Sequence, residues 1–344
     1  MSSSSRFLTA YVDIPFIEEL MANKPESGLD MADRKDISPG IWRGVCQFLR
    51  RNARMIVDVD EDTLDSRPLI KGFLFQTGQF NVDLQPEVTK RLANPEQIHI
   101  EDPYTLFLME SPEISVEDLR RQTGLLFLRH SDLEHNWLRL FKQHEIDVWA
   151  EASEAFEWSH LQQHGCPLNA LIVADKYAYN QFEKDTFEEN LGALLLSLLP
   201  DRVDNSVHIT LITDLWTAYE QKEISPNKIH DRIEDHLNIH RPNLDLSVTV
   251  LGYKQGSGHK DRFIITNYAW FTSNDSFDFF KGETLEKDTL VFHLPLSKNS
   301  SMFRRRLKRL ASICKDPPEY PVGNLLLASG SAENRLLDRF AKSS

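Results

Sequence analysis

The chain has 344 residues, 41% of them hydrophobic and 26% charged, which excludes a mainly disordered polypeptide and leaves room for two ordinary domains or one large one. Its formal net charge of −13 excludes a surface built throughout for nucleic acid, since phosphate binding wants a positive field, and confines such binding to a local patch. No apolar run approaches the ~20 residues of a membrane span, and the opening MSSSSRFLTAYVDIP lacks the long apolar core of a secretory signal.

In chain order, Phe7 to Ile14 is apolar and β-rich and predicts a strand. Pro15 then fits a first helical turn, with Phe16, Ile17 and Leu20 on one face. Residues 24–39 are polar and turn-rich, a loop. Gly40 to Asn52 predicts a helix with Trp42, Val45, Phe48 and Leu49 on one side, and Met55 to Val59 a strand. Pro68 to Phe75 and Gln97 to Met109 supply further strand material. Ser115, with Asp118 three residues on, opens a helix in the manner of a capping box. Leu125 to Leu128 is a short buried strand, and Asp132 to Phe156 is expected to be helical, with Leu133, Trp137, Leu140 and Phe141 at core spacing.

Gln162 to Asn169, with Gly165 and Pro167, is the best boundary signal; beyond it the pattern becomes a clean strand–helix alternation. Strands are expected at Ala170–Ala174, Val207–Thr213, Leu244–Tyr253, Phe263–Asn267 and Thr289–Leu294. Helices are expected at Phe187–Leu199, Ser225–Ile239 and Met302–Ile313. The fold class is therefore α/β: residues 1–160 as an N-terminal α/β domain, 168–315 as a mixed sheet with flanking helices, and 316–344 as a C-terminal tail. Leu325 to Ala328 is expected to return as a strand to the N-terminal half. Cys46, Cys166 and Cys314 are scattered and odd in number, with no CxxC pair. Neither a disulfide framework nor a zinc ribbon is expected, and a reducing cytoplasm is the natural setting.

The segment Gly258 to Gly282, GHKDRFIITNYAWFTSNDSFDFFKG, carries the most information. A glycine-rich lead-in brings the chain to His259, then an apolar strand, Asn267, the aromatics Tyr268 and Trp270, a turn, and Phe277-Asp278-Phe279-Phe280. This resembles the phospholipase D-like C-terminal domain of MIT-domain proteins and its bacterial relatives. Those proteins read His-Asp-Arg, a strand, Asn-Gly-Trp, then Leu-Asp-x-Phe at the matching positions His259, Asp261, Arg262, Asn267, Trp270, Phe277, Asp278 and Phe280, with Lys260 inserted. Upstream, ALIVADKYAYN resembles the strand that ends in an acidic residue, Asp175, followed by an aromatic, Tyr177. The resemblance covers about residues 168–315, and bacterial proteins of this kind are associated with mobile-element and phage-defence loci.

Active phospholipase D enzymes carry His-x-Lys-x4-Asp twice: one His is the nucleophile, the other protonates the leaving group, and Lys neutralises the phosphate oxygens. Two residues after His259 stands Asp261 in place of Lys, and there is no second copy; His230-Asp231-Arg232 repeats the short string inside an expected helix. The resemblance thus implies a catalytically degenerate domain that binds a phosphate-rich partner, nucleic acid first and anionic lipid second. A protein partner or a homodimer is compatible with it, and it needs no cofactor and no metal. The phosphate-binding candidates are His259, Lys260, Arg262 and Asn267, joined by Arg304, Arg305 and Lys308 from the basic run Arg304–Arg309.

Each signal has a plain structural alternative. His259, Asp261 and Arg262 can form a strand-start ion pair, and the aromatics of 268–280 can be core. His236 and His240, four apart, can mark a helix end and not a zinc site. The competing enzymatic reading is a divergent metal-dependent nuclease with a PIN-like N-terminal domain, in which Asp13 joins carboxylates such as Asp58, Asp60, Glu101 and Asp102 around Mg²⁺ or Mn²⁺. Against it, Asp after a strand ordinarily caps a helix. If the chain is an enzyme, the catalytic candidates are His259, Asp261 and Asp13. A non-catalytic interaction scaffold is the third reading.

Overall fold

The computed structural model describes residues 7–25, 38–75, 80–94, 102–149, 155–163, 167–217, 222–253, 262–295, 300–315, 325–331 and 333–341. It divides into two compact units, Met1–Lys142 with Leu296–Ser300, and Gln143–Pro295 with Ser301–Ser344. Both are α/β, as the alternation of elements predicts.

The first unit runs β1 (Leu8–Val12), α1 (Ile14–Ala22), α2 (Pro39–Arg51), β2 (Ala53–Val57), α3 (Glu61–Asp65), α4 (Pro68–Phe75), β3 (Val82–Leu84), α5 (Val88–Leu92), β4 (Thr105–Leu108), α6 (Val116–Thr123), β5 (Leu126–Leu128) and α7 (Leu133–Phe141). Its five strands pair in parallel in the order β3-β2-β1-β4-β5. The central strands β1 and β4 and the edge strand β5 are short apolar runs buried on both faces, as a sheet covered by helices on either side requires, whereas edge strand β3 is partly exposed. Strand order reverses between β1 and β4, which opens a crevice at the C-terminal edge of the sheet.

Residues 68–75, expected as a strand, form α4. Pro68 starts the helix, and the apolar run PLIKGFLF follows a four-residue period, burying Ile70 and Leu74 while leaving Leu69 78% exposed.

The second unit runs β6 (His144–Val148), α8 (Ser159–Gln162), β7 (Ala170–Asp175), α9 (Tyr179–Glu183), a π-helical turn (Glu188–Gly192) leading into α10 (Ala193–Leu198), β8 (Val207–Asp214), β9 (Trp216–Thr217), β10 (Lys222–Glu223), α11 (Pro226–His240), β11 (Leu246–Tyr253), β12 (Arg262–Thr266), β13 (Ala269–Ser273), β14 (Phe280–Lys281), β15 (Thr284–Leu285), β16 (Thr289–Pro295), α12 (Ser300–Lys315), β17 (Leu325–Gly330) and α13 (Arg335–Ala341). Its main sheet has eight strands in the order β17-β11-β8-β7-β12-β13-β16-β6. The trio β7, β8 and β11 is parallel, and every other pairing is antiparallel. One face buries Leu171, Val173, Ile209, Leu211, Ile264 and Phe271 with the apolar sides of α10 and α11.

Three sequence expectations are corrected here. Residues 132–156 are not one helix: α7 stops at Phe141, and His144–Val148 pairs antiparallel with β16, burying Ile146 and Val148. Residues 325–328 do not join the N-terminal sheet; β17 pairs with β11 in the second one. Residues 316–344 are therefore not a mere tail, and α13 also packs on this unit, with Asn334 donating to Leu171 O and Thr210 Oγ1. Among the described residues no helix is long and apolar enough to cross a membrane.

Candidate phosphate-recognition site

Open α/β sheets bind ligands beyond the C-terminal ends of their parallel strands. In the second unit that edge is formed by Asp175 at the end of β7, Asp214 at the end of β8, Tyr253 at the end of β11 and Arg262 at the start of antiparallel β12, opposite Asp175 in register.

Asp175 is buried, and its carboxylate accepts from Tyr177 N (3.0 Å), Ser276 Oγ (2.6 Å) and Phe277 N (2.7 Å). Burial pushes its pKa up, against those three donors. Its task is to pin the turn after β13 to the end of β7. Arg262 beside it is not among its donors, and among the described residues no carboxylate pairs with Arg262.

Arg262 instead lies over the ring of Tyr177, 5.5 Å from the centroid, and its Nη1 donates to Asn274 O at 3.1 Å. Its Nε is buried with no acceptor. Lys176 Nζ approaches the same ring at 5.5 Å, and Asp214 at 3.8 Å. Two cations thus lie against the Tyr177 ring, one of them with no acceptor on its Nε–Nη2 edge, the edge with which arginine grips an oxyanion in a bidentate way. Lys176 was not singled out in the sequence; the signal was a basic residue directly following a buried parallel strand.

The remaining candidates scatter. His259, Lys260 and Asp261 lie outside the described residues. Asn267 is wholly buried just past the far end of β12, about 16 Å from Arg262 at the usual strand rise. Its Oδ1 accepts from Asn169 N (3.1 Å) and Ala170 N (3.4 Å), and its Nδ2 donates to Asn169 Oδ1 (3.0 Å). It holds the start of β7 and is removed from the phosphate-binding set. The aromatics are core: Trp270, Phe271, Phe277 and Phe279 are 0–2% exposed, and Phe279 stacks on Trp158 at 5.0 Å.

Arg304, Arg305 and Lys308 do not join Arg262. Along β12, Arg262 and Ile264 point to one face and Phe263 and Ile265 to the other. Helix α12 covers the second face: Phe303 packs on Trp270, and Arg306 lies over Phe263 (5.2 Å) and Trp270 (5.5 Å). Arg304 is half-buried, whereas Arg305 and Lys308 are exposed.

At the C-terminal edge of the first sheet, a cleft of about 500 Å³ is lined by Asp13, Asp58, Asp60, Thr63, Arg67 and Lys90 among others. Its carboxylates are spoken for. Asp13, 1% exposed, caps α1 through Phe16 N (2.9 Å) and accepts from Ser111 N (2.9 Å), Ser111 Oγ (2.7 Å) and Glu110 N (2.9 Å). Asp58 accepts from Val88 N and Thr89 N, Asp60 caps α3 through Thr63 N, and Asp102 accepts from Tyr104 N. Glu101 lies outside the described residues. Among the described residues no group of three His, Cys, Asp or Glu could hold a metal, and none forms around His236 and His240, whose rings sit 4.7 Å apart. The repeated string in α11 is also structural, with Arg232 paired to Glu188 (2.7 Å) and Asp185 (2.6 Å).

No family model matches the chain, and no curated protein matches it. The site's reading therefore rests on its own chemistry.

Proposed function

We propose that the second unit is a phosphate-recognising domain that does not cleave its ligand, a phospholipase D-like module that binds nucleic acid in the cytoplasm. The observation that carries this reading is the buried, unpartnered Nε of Arg262 at the C-terminal edge of a parallel strand trio, beside Lys176 and Tyr177. Leaving a buried donor unpaired costs about 1–3 kcal/mol; the Nε atoms of Arg50 and Arg241 share the condition, but of the three Arg262 is the one at the C-terminal edge of the parallel trio, where a group that supplies two acceptor oxygens fits. A phosphate does so, and the adjoining cation lowers the cost of bringing its charge there. The absence of Lys two residues after His259 argues against hydrolysis by the phospholipase D route.

The test is a titration of the full chain with inorganic phosphate and with a 5′-phosphorylated single-stranded oligonucleotide. Arg262→Ala is expected to weaken both by about 10–100-fold, the equivalent of losing a charge-assisted bidentate contact. Arg262→Lys should recover little, because an ammonium cannot reproduce the fork. No turnover of bis-p-nitrophenyl phosphate is expected; metal-independent turnover abolished by His259→Ala would overturn the non-cleaving reading.

A further inference from the structure

Helix α12 reads SSMFRRRLKRLASICK: six Lys or Arg and no Asp or Glu, in a chain whose net charge is −13. One side is buried through Phe303, Leu307, Leu310 and Ala311. Arg306 is committed to the rings of Phe263 and Trp270. What remains outward is a stripe at the i, i+3, i+4, i+7 spacing: Arg305, Lys308, Arg309 and Ser312, all exposed. None of the three cations forms an ion pair among the described residues. Elsewhere in the unit exposed cations are paired at Arg202, by Asp204 (3.1 Å), and at Lys281, by Glu286 (4.0 Å), while Lys184 and Lys228 stand singly; α12 alone among the described helices of this unit gathers three unpaired cations on one face.

We infer that α12 is a docking surface for the backbone of duplex nucleic acid, with Arg305, Lys308 and Arg309 as the phosphate contacts. This takes its partner class from the phosphate-binding reading above but rests on different side chains, on the opposite face of β12. Arg305 to Arg309 spans about 6 Å of helix axis, while a duplex presents one charge per ~1.7 Å of its own axis, so three phosphates lie within reach of three side chains without deformation of either partner. Two features favour nucleic acid over an anionic bilayer. A helix that lies in a membrane interface needs its apolar side free, and here that side is packed into the unit. Two of the three stripe cations are also arginines, whose fork matches a phosphate's oxygens better than an ammonium does.

The experiment compares wild type with Arg305→Gln/Lys308→Gln/Arg309→Gln, both as the full chain. Anisotropy of a fluorescein-labelled blunt-ended duplex DNA is followed across a salt series. In parallel, the proteins are floated with phosphatidylserine-containing vesicles, and circular dichroism melts check the fold, which exposed substitutions should leave intact. The triple variant is expected to bind the duplex more weakly at every salt concentration, with the log–log salt slope reduced in magnitude by about 2–3, one ~0.9 increment per lost contact. Arg262→Ala should lose inorganic phosphate while changing that slope by no more than about one contact. The inference is overturned if the folded triple variant keeps the wild-type affinity and slope. It also fails if the slope collapses in Arg262→Ala instead, or if wild type floats with vesicles and ignores duplex. Loss of phosphate binding in Arg262→Ala with no effect of the triple variant fails the helix alone; a triple-variant effect with wild-type phosphate affinity in Arg262→Ala fails the Arg262 site alone.

Discussion

At the C-terminal edge of the first sheet the charged groups at the strand ends are carboxylates: Asp13 takes N–H and O–H donors from α1 and from the chain after β4, Asp58 those of α5, and Asp60 that of Thr63 in α3, while the cations of the same cleft, Arg67 and Lys90, are paired with Glu18 and Glu87. At the corresponding edge of the second sheet Asp175 does the same, but an arginine stands beside it with an N–H left over. The difference follows from what a strand end offers. Where strands give way to helices and turns, backbone N–H groups are in surplus. A carboxylate there is satisfied by the protein itself and becomes a structural staple. An arginine competes with those same donors for acceptors and is left wanting one. Acidic strand ends are therefore weak evidence for a ligand, whereas an unpaired cation at the same place is strong evidence.

The largest effect that could break this comparison is at Asp13. Asp13→Ala strands several buried donors and removes a helix cap, so urea unfolding should show a loss of about 3–4 kcal/mol. A near-neutral change would mean that the carboxylate serves a ligand after all.

Next comes His208, buried on β8, with Nδ1 accepting from Arg335 N (3.1 Å). Burial, with Arg335 nearby, lowers its pKa from the ordinary 6.5 to about 4. Because the folded value lies below the unfolded one, the neutral ring's contribution is fully present above about pH 6.5. It is lost as pH falls toward 4, on the order of 3 kcal/mol in all. Thermal melts across that window should slope steeply in wild type and less so in His208→Gln; equal slopes would remove His208 from the account.

Asn267→Ala should cost about 2 kcal/mol, through the donors of Asn169 and Ala170, and leave phosphate affinity unchanged. A loss of affinity at wild-type stability would restore it as a ligand contact.

The smallest stability effect belongs to Arg262→Ala, within about 1 kcal/mol, since the ring contact it loses is offset by relief of a buried unpaired donor. Here the affinity changes and the melting temperature does not. Unfolding of Arg262→Ala would make the residue a staple like the others.

Much of this was legible in the sequence. The alternation after residue 168 gave each strand of the parallel trio and its helices nearly in place, because fully buried strands are continuous apolar runs. Ser115 and Ser225 marked helix starts correctly. Two of the failures share a cause, unlike that at 68–75, where Pro68 and the four-residue period are local. HEIDV became a strand only because β16, far along the chain, offers it an edge, and LLLASG found β11 in the same way. A short segment's own pattern does not disclose a remote partner. At the site, Arg262 was legible from the motif, but its separation from Asn267 and from α12 required the register, since an odd step along β12 moves a side chain to the other face.

Both outer strands of the second sheet come from beyond residues 168–315: β6 lies before that span and β17 after it. A fragment cut to 168–315 would therefore bare the unpaired N–H and C=O rows of β11 and β16, two sticky borders at which copies would join edge to edge. The same holds in time. While the chain is being made, β11 waits with an open border until residues 325–330 have emerged, so this domain is most exposed to aggregation when it is nearly complete.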